Sequence, residues 1–180
     1  MRCFLISILS LSFAITAFAQ VDSLGFTNKA EAENKMVHGR KEGKWIEYYY
    51  GDGYMYYQTT DTSEEYYNLA IYRRGRRVGI SRGYYGKSGK LFCETPYVNG
   101  KKNGVEKIYY TDGSLHEEFP NINGKKNGIV KEYNEDGTII CECAYVNGKK
   151  NGIERVYYKK DTLERECSYK RDIENGVEKF

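Results

Sequence analysis

The segment Asn-Gly-Lys-Lys-Asn-Gly occurs three times in this chain, and successive copies begin 24 residues apart. The copies span Asn99 to Gly104, Asn123 to Gly128 and Asn147 to Gly152. Self-similarity at one short period indicates an array of a single supersecondary unit, because each copy must pack on its neighbours to be stable. The repetition therefore predicts a repeat protein. It also disfavours an enzyme, since catalysis does not need one turn copied along a chain.

The repeated unit can be followed beyond the three clear copies. Weaker copies begin near Gly39 and Gly75, and both keep the Gly-x-x-x-Gly spacing of the later turns. The chain is thus predicted to comprise a signal peptide, an N-terminal linker and one repeat domain with an insertion. The boundaries are 1–19 for the signal peptide, 20–36 for the linker, 37–180 for the repeat domain, near 37–60, 72–96, 97–120, 121–144, 145–168 and 169–180 (partial) for the units, and about 58–65 for the insertion.

The repeated units are predicted to be β-hairpins. Tyr, Val, Ile and Phe dominate the short runs between turn signals, and these residues suit a pleated surface. Asp112-Gly113 and Asp136-Gly137 are typical of two-residue type I′ hairpin turns, in which both central residues have positive φ. The predicted fold is all-β, an elongated antiparallel single-layer sheet that forms a meander of stacked hairpins of about 24 residues each.

A two-residue loop at Asp112-Gly113 also predicts the register of the hairpin. Tyr110 would then face Leu115, and Lys107 would face Glu118. The same register pairs Lys131 with Glu142 and Arg155 with Glu166 in the next two units. Three opposite-charge pairs from one assumed register support it, because facing charges of opposite sign modestly stabilise antiparallel strands.

These residues resemble the MORN-repeat variant of bacterial proteins, which carries strings of the form Tyr-x-Asn-Gly-x-x-x-Gly, Tyr-Tyr, Gly-x-Leu and Glu. The resemblance covers Gly39 to Phe180 and is closest from Tyr97 to Gly176. It implies stacked MORN-like hairpins and a binding or scaffolding role. Some bacterial members are labelled antitoxins, and eukaryotic relatives are linked to membrane attachment and protein assembly.

The first 19 residues have the features of a secretory signal. Arg2 precedes an apolar run from Phe4 to Ile15, and Ala17-Phe18-Ala19 is a small-x-small cleavage site before Gln20. The apolar run is too short for a spanning helix, and no transmembrane segment is predicted in the mature chain. The predicted location is therefore the periplasm or the medium. Removing the signal leaves 27 basic and 25 acidic residues, so the mature chain is nearly neutral.

Export makes disulfides possible, but the repeat geometry argues against them. Cys143 and Cys167 occupy the same column of successive units, on strands that are two apart, and so about 9–10 Å from each other. A disulfide needs Cα atoms about 4.4–6.8 Å apart. Cys93, Cys141, Cys143 and Cys167 are therefore predicted to be free, partly buried thiols. A thiolate metal site at Cys141, Cys143 and Cys167 is an alternative that requires a fourth ligand.

The sequence offers no pattern of catalytic residues. His38 and His116 are the only histidines, and neither belongs to a metal-ligand, nucleophile-elbow or phosphate-loop motif. The glycines fall at turn positions, and the acidic columns have basic partners. A non-enzymatic protein without a cofactor or metal is predicted, and no nucleic-acid partner is expected.

Three binding hypotheses remain open at this point. The first is a protein-interaction or scaffold module of the cell envelope, with the irregular insertion and its tyrosines as the first candidate contact region. The second is binding of anionic lipid or lipopolysaccharide by a basic edge of turns, and the third is cell-wall carbohydrate binding by tyrosine columns. The candidate residues are Tyr56, Tyr57, Tyr66 and Tyr67 for the insertion, and Arg40, Lys41, Arg76, Arg77, Lys101, Lys102, Lys125, Lys126, Lys149 and Lys150 for the basic edge.

Overall fold

A computed structural model describes residues 24–51, 56–59, 66–159 and 162–176. The predicted signal peptide, most of the predicted insertion and the last four residues lie outside the described residues. The described part contains one short 3₁₀ turn, Lys29–Glu31, and fifteen strands. The strands are β1 (Lys35–Val37), β2 (Arg40–Gly51), β3 (Tyr56–Thr59), β4 (Tyr66–Arg73), β5 (Arg76–Tyr85), β6 (Leu91–Val98), β7 (Lys101–Lys102), β8 (Gly104–Tyr109), β9 (Leu115–Ile122), β10 (Lys125–Lys126), β11 (Gly128–Tyr133), β12 (Ile139–Val146), β13 (Lys149–Lys159), β14 (Thr162–Lys170) and β15 (Ile173–Glu174).

All of these strands belong to one open antiparallel sheet. Its main path follows the chain from β1 to β15, while the short strands β3, β7 and β10 each pair at the side of one longer strand. Neighbouring strands along the path are neighbours in sequence, as in a meander. The predicted all-β architecture of stacked hairpins is therefore confirmed.

The type I′ turns lie at the Asn-Gly dipeptides rather than at Asp-Gly. Asn99 and Gly100 have φ values of 50° and 81°, and they join Val98 to its partner Lys101. At the other end of the unit, the Gly113 amide donates to the Tyr110 carbonyl, and only Gly113 of this loop has positive φ. That loop therefore has three residues, in which a type I turn is followed by a left-handed glycine.

The predicted two-residue loop at Asp112-Gly113 is thus wrong, and the structure shows what replaces it. Asp112 Oδ1 accepts hydrogen bonds from both the amide and the hydroxyl of Ser114, which closes the longer loop. Tyr109, not Tyr110, is then opposite Leu115, and a β-bulge at the next step shifts the register by one residue. Because the bulge offsets the longer loop, Lys107 still faces Glu118 as predicted.

The bulge recurs in each repeat, so the other two charge pairs are also confirmed. Lys131 faces Glu142 and Arg155 faces Glu166. In each hairpin the shift falls between the strand body and the loop. The bulge compensates for the length of the loop, so the strand bodies keep one register along the sheet.

The Asn-Gly turns stack on one another through backbone hydrogen bonds. The Gly100 amide donates to the Arg77 carbonyl at 2.8 Å, and the Gly124 amide donates to the Lys102 carbonyl at 2.8 Å. In the next repeat, the Gly148 amide likewise donates to the Lys126 carbonyl at 2.8 Å. The basic residues beside these turns are consequently held in a column along one edge of the sheet.

The two faces of the sheet differ between its halves. On one face, residues 24–34, here called the N-terminal strap, cross the strands and bury Phe26 against Leu69, Ile71 and Tyr84. Gly25 passes so close that an added Cβ would lie 2.2 Å from the carbonyl oxygen of Ile80. The sequence predicts that the strap is part of an N-terminal linker. Here it covers the core of the molecule.

Candidate functional site

The face that carries the strap is here called the ladder face. It also carries a row of side chains with alternating charges, here called the charge ladder. The row begins next to Leu69, which is fully buried and directly opposite Arg82. Each member faces the next across neighbouring strands. In order, the ladder is Arg82, Glu94, Lys107, Glu118, Lys131, Glu142, Arg155 and Glu166.

The charge ladder joins repeats as well as the strands of one hairpin. Arg82 Nε lies 2.8 Å from a Glu94 carboxylate oxygen, and Arg155 Nε lies 3.0 Å from a Glu166 oxygen. Sequence reasoning found the pairs inside each hairpin but missed those between hairpins. The signal was present, because a basic and an acidic residue recur at the same columns of the four units from 72 to 168.

Tyrosine hydroxyls reinforce the ladder from one repeat to the next. Tyr109 donates to Glu94 at 3.0 Å, and Tyr133 donates to Glu118 at 2.8 Å. Burial, followed by the hydrogen bond to the carboxylate, raises the pKa of each of these two hydroxyls to about 12. These hydroxyls are engaged inside the protein, which favours packing over sugar binding for this tyrosine column.

An apolar strip lies beside the charge ladder in the C-terminal repeats. Val105, Ile129 and Ile153 occur two residues before a ladder cation, so they share its face. Val98, Ile122 and Val146 occur four residues after a ladder acid and share that face for the same reason. All six side chains, here called the aliphatic strip, are between 42% and 52% exposed. No described residue covers them in the way that the strap covers Leu69 and Ile71.

The residues predicted to form a basic edge divide into two groups. The first residue of each pair is exposed at the turn, and this group comprises Arg40, Arg76, Lys101, Lys125 and Lys149. The second residue turns back over the face opposite the ladder and is half-buried, and this group comprises Lys41, Arg77, Lys102, Lys126 and Lys150. The structure therefore places one exposed cation per turn at the edge.

The inward cations are bound to carboxylates in most units. Lys102 Nζ lies 2.6 Å from Glu106 Oε1, and Lys150 pairs with Glu154 in the same way. Arg77 reaches Glu47 at 2.7 Å, and Lys41 pairs with the same carboxylate. The pairs at Glu106 and Glu154 were detectable in the sequence as lysine and glutamate four residues apart.

Glu47 is the most enclosed of these acids, with 2% of its side chain exposed. Its carboxylate also accepts a hydrogen bond of 2.9 Å from the Tyr72 hydroxyl. Burial alone would raise the pKa of Glu47, but Arg77 and Lys41 outweigh it and hold the pKa below its ordinary value. Sequence reasoning missed this cluster, because its members come from three separate strands.

The tyrosines near the insertion are distributed over different surroundings. Tyr56 and Tyr57 lie on β3, which pairs with β2, and residues 60–65 are outside the described part. Tyr67 stacks on Tyr84 at a centroid distance of 5.0 Å and packs against the core. Tyr66 contacts the rings of Tyr85 and Phe92 at 5.7 and 5.6 Å. Tyr66 and Tyr67 are adjacent on β4, so their side chains lie on opposite faces of the sheet.

The described cysteines are free thiols on the face opposite the ladder, here called the thiol face. Cys143 and Cys167 are buried, and Glu154 lies between them on the intervening strand. Burial raises the pKa of Cys143 to about 11, so its thiol is neutral at pH 7. Over the described ranges, no cluster of three His, Cys, Asp or Glu residues has the geometry of a metal site. Those ranges also contain no helix with the length and apolarity that a membrane span requires.

An open, single sheet of stacked hairpins with repeated columns defines the protein as a β-repeat protein. The family model described as MORN repeat variant matches residues 102–120, 126–147 and 150–171. Residues 102–171 accordingly contain three repeats of the MORN variant, and such repeats generally form interaction or binding modules that are not catalytic. A comparison with curated proteins gave no match.

Proposed function

We propose that this chain is an exported, non-enzymatic interaction module of the cell envelope, and that its aliphatic strip binds a segment of a partner protein. The exposed strip supports the proposal most directly. The same face is covered by the protein's own strap in the N-terminal half, where an irregular chain segment lies across the strands and buries Phe26. The uncovered half offers a surface of the same orientation to an external segment.

The spacing of the strip indicates the conformation of that segment. Val105, Ile129 and Ile153 lie on alternate strands of the path, and alternate strands are about 9.5 Å apart. A polyproline II helix rises about 3.1 Å per residue with three residues per turn, so every third side chain recurs on one side after about 9.3 Å. A proline-rich segment with an apolar residue at every third position therefore matches the strip.

The electrostatics of the ladder face favour such a neutral, apolar segment over an anionic lipid. The ladder cations are matched by ladder acids along the whole row, so little net charge remains on this face. Proline-rich segments also bind through aromatic surfaces in other domains. Here Tyr109, Tyr133 and Tyr157 stand on the same face, two residues beyond the ladder cations.

The binding test uses two fluorescent peptides of identical composition. One contains four Leu-Pro-Pro triplets, and the other contains the same residues with the leucines in adjacent pairs. We expect the triplet peptide to bind more tightly, and we expect Ile129→Glu to weaken it by roughly tenfold or more, as at a central interface residue. Met36→Glu is the matched control, because Met36 is exposed but lies outside the strip. Equal binding of the two peptides, or no effect of Ile129→Glu, would contradict the proposal.

Export is tested separately from binding. Expression of the full precursor in a bacterial host should yield an extracytoplasmic protein that begins at Gln20, as determined by mass spectrometry of the intact chain. A protein that keeps Met1 and stays with the cytoplasmic fraction would refute export and leave the peptide test valid.

A second candidate function, binding of an anionic surface, is supported by the column of exposed cations at the stacked turns. A triple variant with Lys101→Gln, Lys125→Gln and Lys149→Gln should lose salt-sensitive binding to vesicles that contain anionic lipid. The matched control changes Lys29, Lys35 and Lys87, which are exposed elsewhere, to Gln. Equal binding of the two triple variants would exclude a specific role for the edge.

A further inference from the structure

One repeat differs from its neighbours at the inward lysine of the thiol face. Lys102 and Lys150 each bind the glutamate four residues later, Glu106 and Glu154. In the repeat between them, the corresponding lysine is Lys126, and the residue four positions later is Val130. The register of the strands is otherwise the same. Val130 therefore occupies the position at which the flanking units have a carboxylate.

Lys126 keeps the inward orientation although that acid is missing. Its Nζ lies 4.1 Å from the centroid of the Phe119 ring and 5.5 Å from that of Tyr145. Within the described ranges, no carboxylate forms an ion pair with Lys126. The ammonium group of Lys126 therefore contacts aromatic rings, and no carboxylate of the described residues pairs with its charge.

A groove of about 200 Å³ opens beside this lysine. Phe119, Val130 and Tyr145 provide apolar walls, and the neutral thiols of Cys141 and Cys143 add two more. Sites for drug-sized ligands usually measure roughly 300–1,000 Å³, so this groove fits a fragment with one ring or a short chain. Its size and its single unmatched cation define the ligand that it can hold.

We propose that the groove binds a small organic monocarboxylate, whose carboxylate pairs with Lys126 as Glu106 pairs with Lys102. The apolar part of the ligand lies over Val130, where the aliphatic portion of a glutamate would otherwise lie. The ion pair of Lys150 and Glu154 lines the groove beside Cys143. Glu117 and Glu132 line it beyond Val130, on the side away from Lys126. Their charges disfavour a second carboxylate on the ligand, so the site selects monocarboxylates over dicarboxylates.

Benzoate is a suitable probe because it combines one ring with one carboxylate. Binding to the mature chain is measured by calorimetry and by NMR shifts of the Tyr145 ring, with benzamide and isophthalate as comparisons. We expect benzamide to bind at least about tenfold more weakly than benzoate, since it lacks the charge that pairs with Lys126. Isophthalate should also bind more weakly than benzoate.

Two variants test the site from opposite directions. Val130→Glu supplies the missing carboxylate from the chain itself, and Lys126→Met removes the cation without adding a charge. Each should lower the affinity for benzoate at least about tenfold, and thermal melting establishes that each variant is folded. Lys102→Met is the matched control, because that lysine already has a partner in Glu106. Equal affinities for benzoate and benzamide, or unchanged benzoate affinity in either folded variant, would overturn the proposal.

Discussion

The N-terminal hairpins and the C-terminal repeats use the same row of the ladder face in opposite ways. In β4 the row is occupied by Leu69, which is 0% exposed under the strap. In β9, β12 and β14 the corresponding residues are the ladder glutamates. The glutamates of β9 and β12 face a lysine or an arginine on both neighbouring strands, and that of β14 faces an arginine on one. The irregular half of the chain therefore builds a core, whereas the regular half builds a charged, partly apolar surface.

The energetic consequence follows from the different worth of these contacts. Complete burial of a leucine stabilises a fold by about 1.5–3 kcal/mol, whereas an exposed ion pair contributes about 0.2–1 kcal/mol. Regular repetition gives many weak contacts, and the strap gives a few strong ones. Stability is therefore concentrated where the chain departs from the repeat. The regular repeats contribute less to stability and form the exposed surface.

Loss of the core should have the largest effect. Leu69→Ala should lower the free energy of unfolding by about 3 kcal/mol, because it leaves a cavity under the strap. Ile129→Ala on the aliphatic strip should cost only about 0.5 kcal/mol, since that side chain is half exposed. Urea titrations followed by circular dichroism measure both values. Comparable losses in the two variants would remove the distinction between the halves.

The buried ion cluster should come second. Glu47→Gln removes the charge between Arg77 and Lys41 and should cost about 2 kcal/mol, below the full value for a buried pair because both cations keep partial access to water. Glu166→Gln is the control at the far end of the ladder, with an expected cost of about 0.5 kcal/mol. If Glu166→Gln were the more damaging change, the ladder rather than the N-terminal cluster would hold the sheet together.

The pH dependence of stability should report the same cluster. The folded-state pKa of Glu47 is lowered from its ordinary value of 4.5, so the unfolded chain binds the proton more readily. The stabilisation from this group is therefore complete above pH 4.5 and is lost as the pH falls through the lowered folded-state pKa. Urea midpoints measured from pH 7 to pH 3 should fall mainly below pH 4.5. The fall should be smaller in Glu47→Gln, and an identical fall would assign the effect to other carboxylates.

The sequence predicted those parts of the fold that depend on local, repeated patterns. The strands, the meander and the three charge pairs of the hairpins followed from a short period and from facing charges. The turn type at Asp112-Gly113 was wrong, because Asp-Gly fits both a two-residue turn and a longer loop closed by a β-bulge. Ser114 decides between them, since its amide and hydroxyl bind the Asp112 carboxylate.

Contacts between distant segments could not be predicted in this way. The strap offers only Leu24 and Phe26 as large apolar residues, and nothing in that short segment shows which strands it crosses. Glu47 and Arg77 are 30 positions apart and belong to the irregular hairpins, so no repeated column links them. The unmatched Lys126, by contrast, was visible in the sequence as Val130 in a column that is otherwise glutamate in the flanking repeats.

The smallest expected effect is the difference in stability between variants at two arginines of the same ladder. Arg82 pairs with Glu94, is 14% exposed and also donates to the Leu24 carbonyl at 2.8 Å, so it joins the ladder to the strap. Arg155 pairs with Glu166, but it is 41% exposed. Arg82→Met should cost about 1.5 kcal/mol, and Arg155→Met should cost about 0.5 kcal/mol.

Salt separates the two contributions. In 1 M NaCl the loss caused by Arg155→Met should vanish, because exposed pairs are screened over about 3 Å at that ionic strength. The loss caused by Arg82→Met should persist in part, since its bond to a backbone carbonyl of the strap does not depend on a pair of charges. Should both losses vanish together, the strap would be held by its other contacts, such as the burial of Phe26 and the hydrogen bonds of Glu33 and Asn34 to β2, and Arg82 would act only as another member of the ladder.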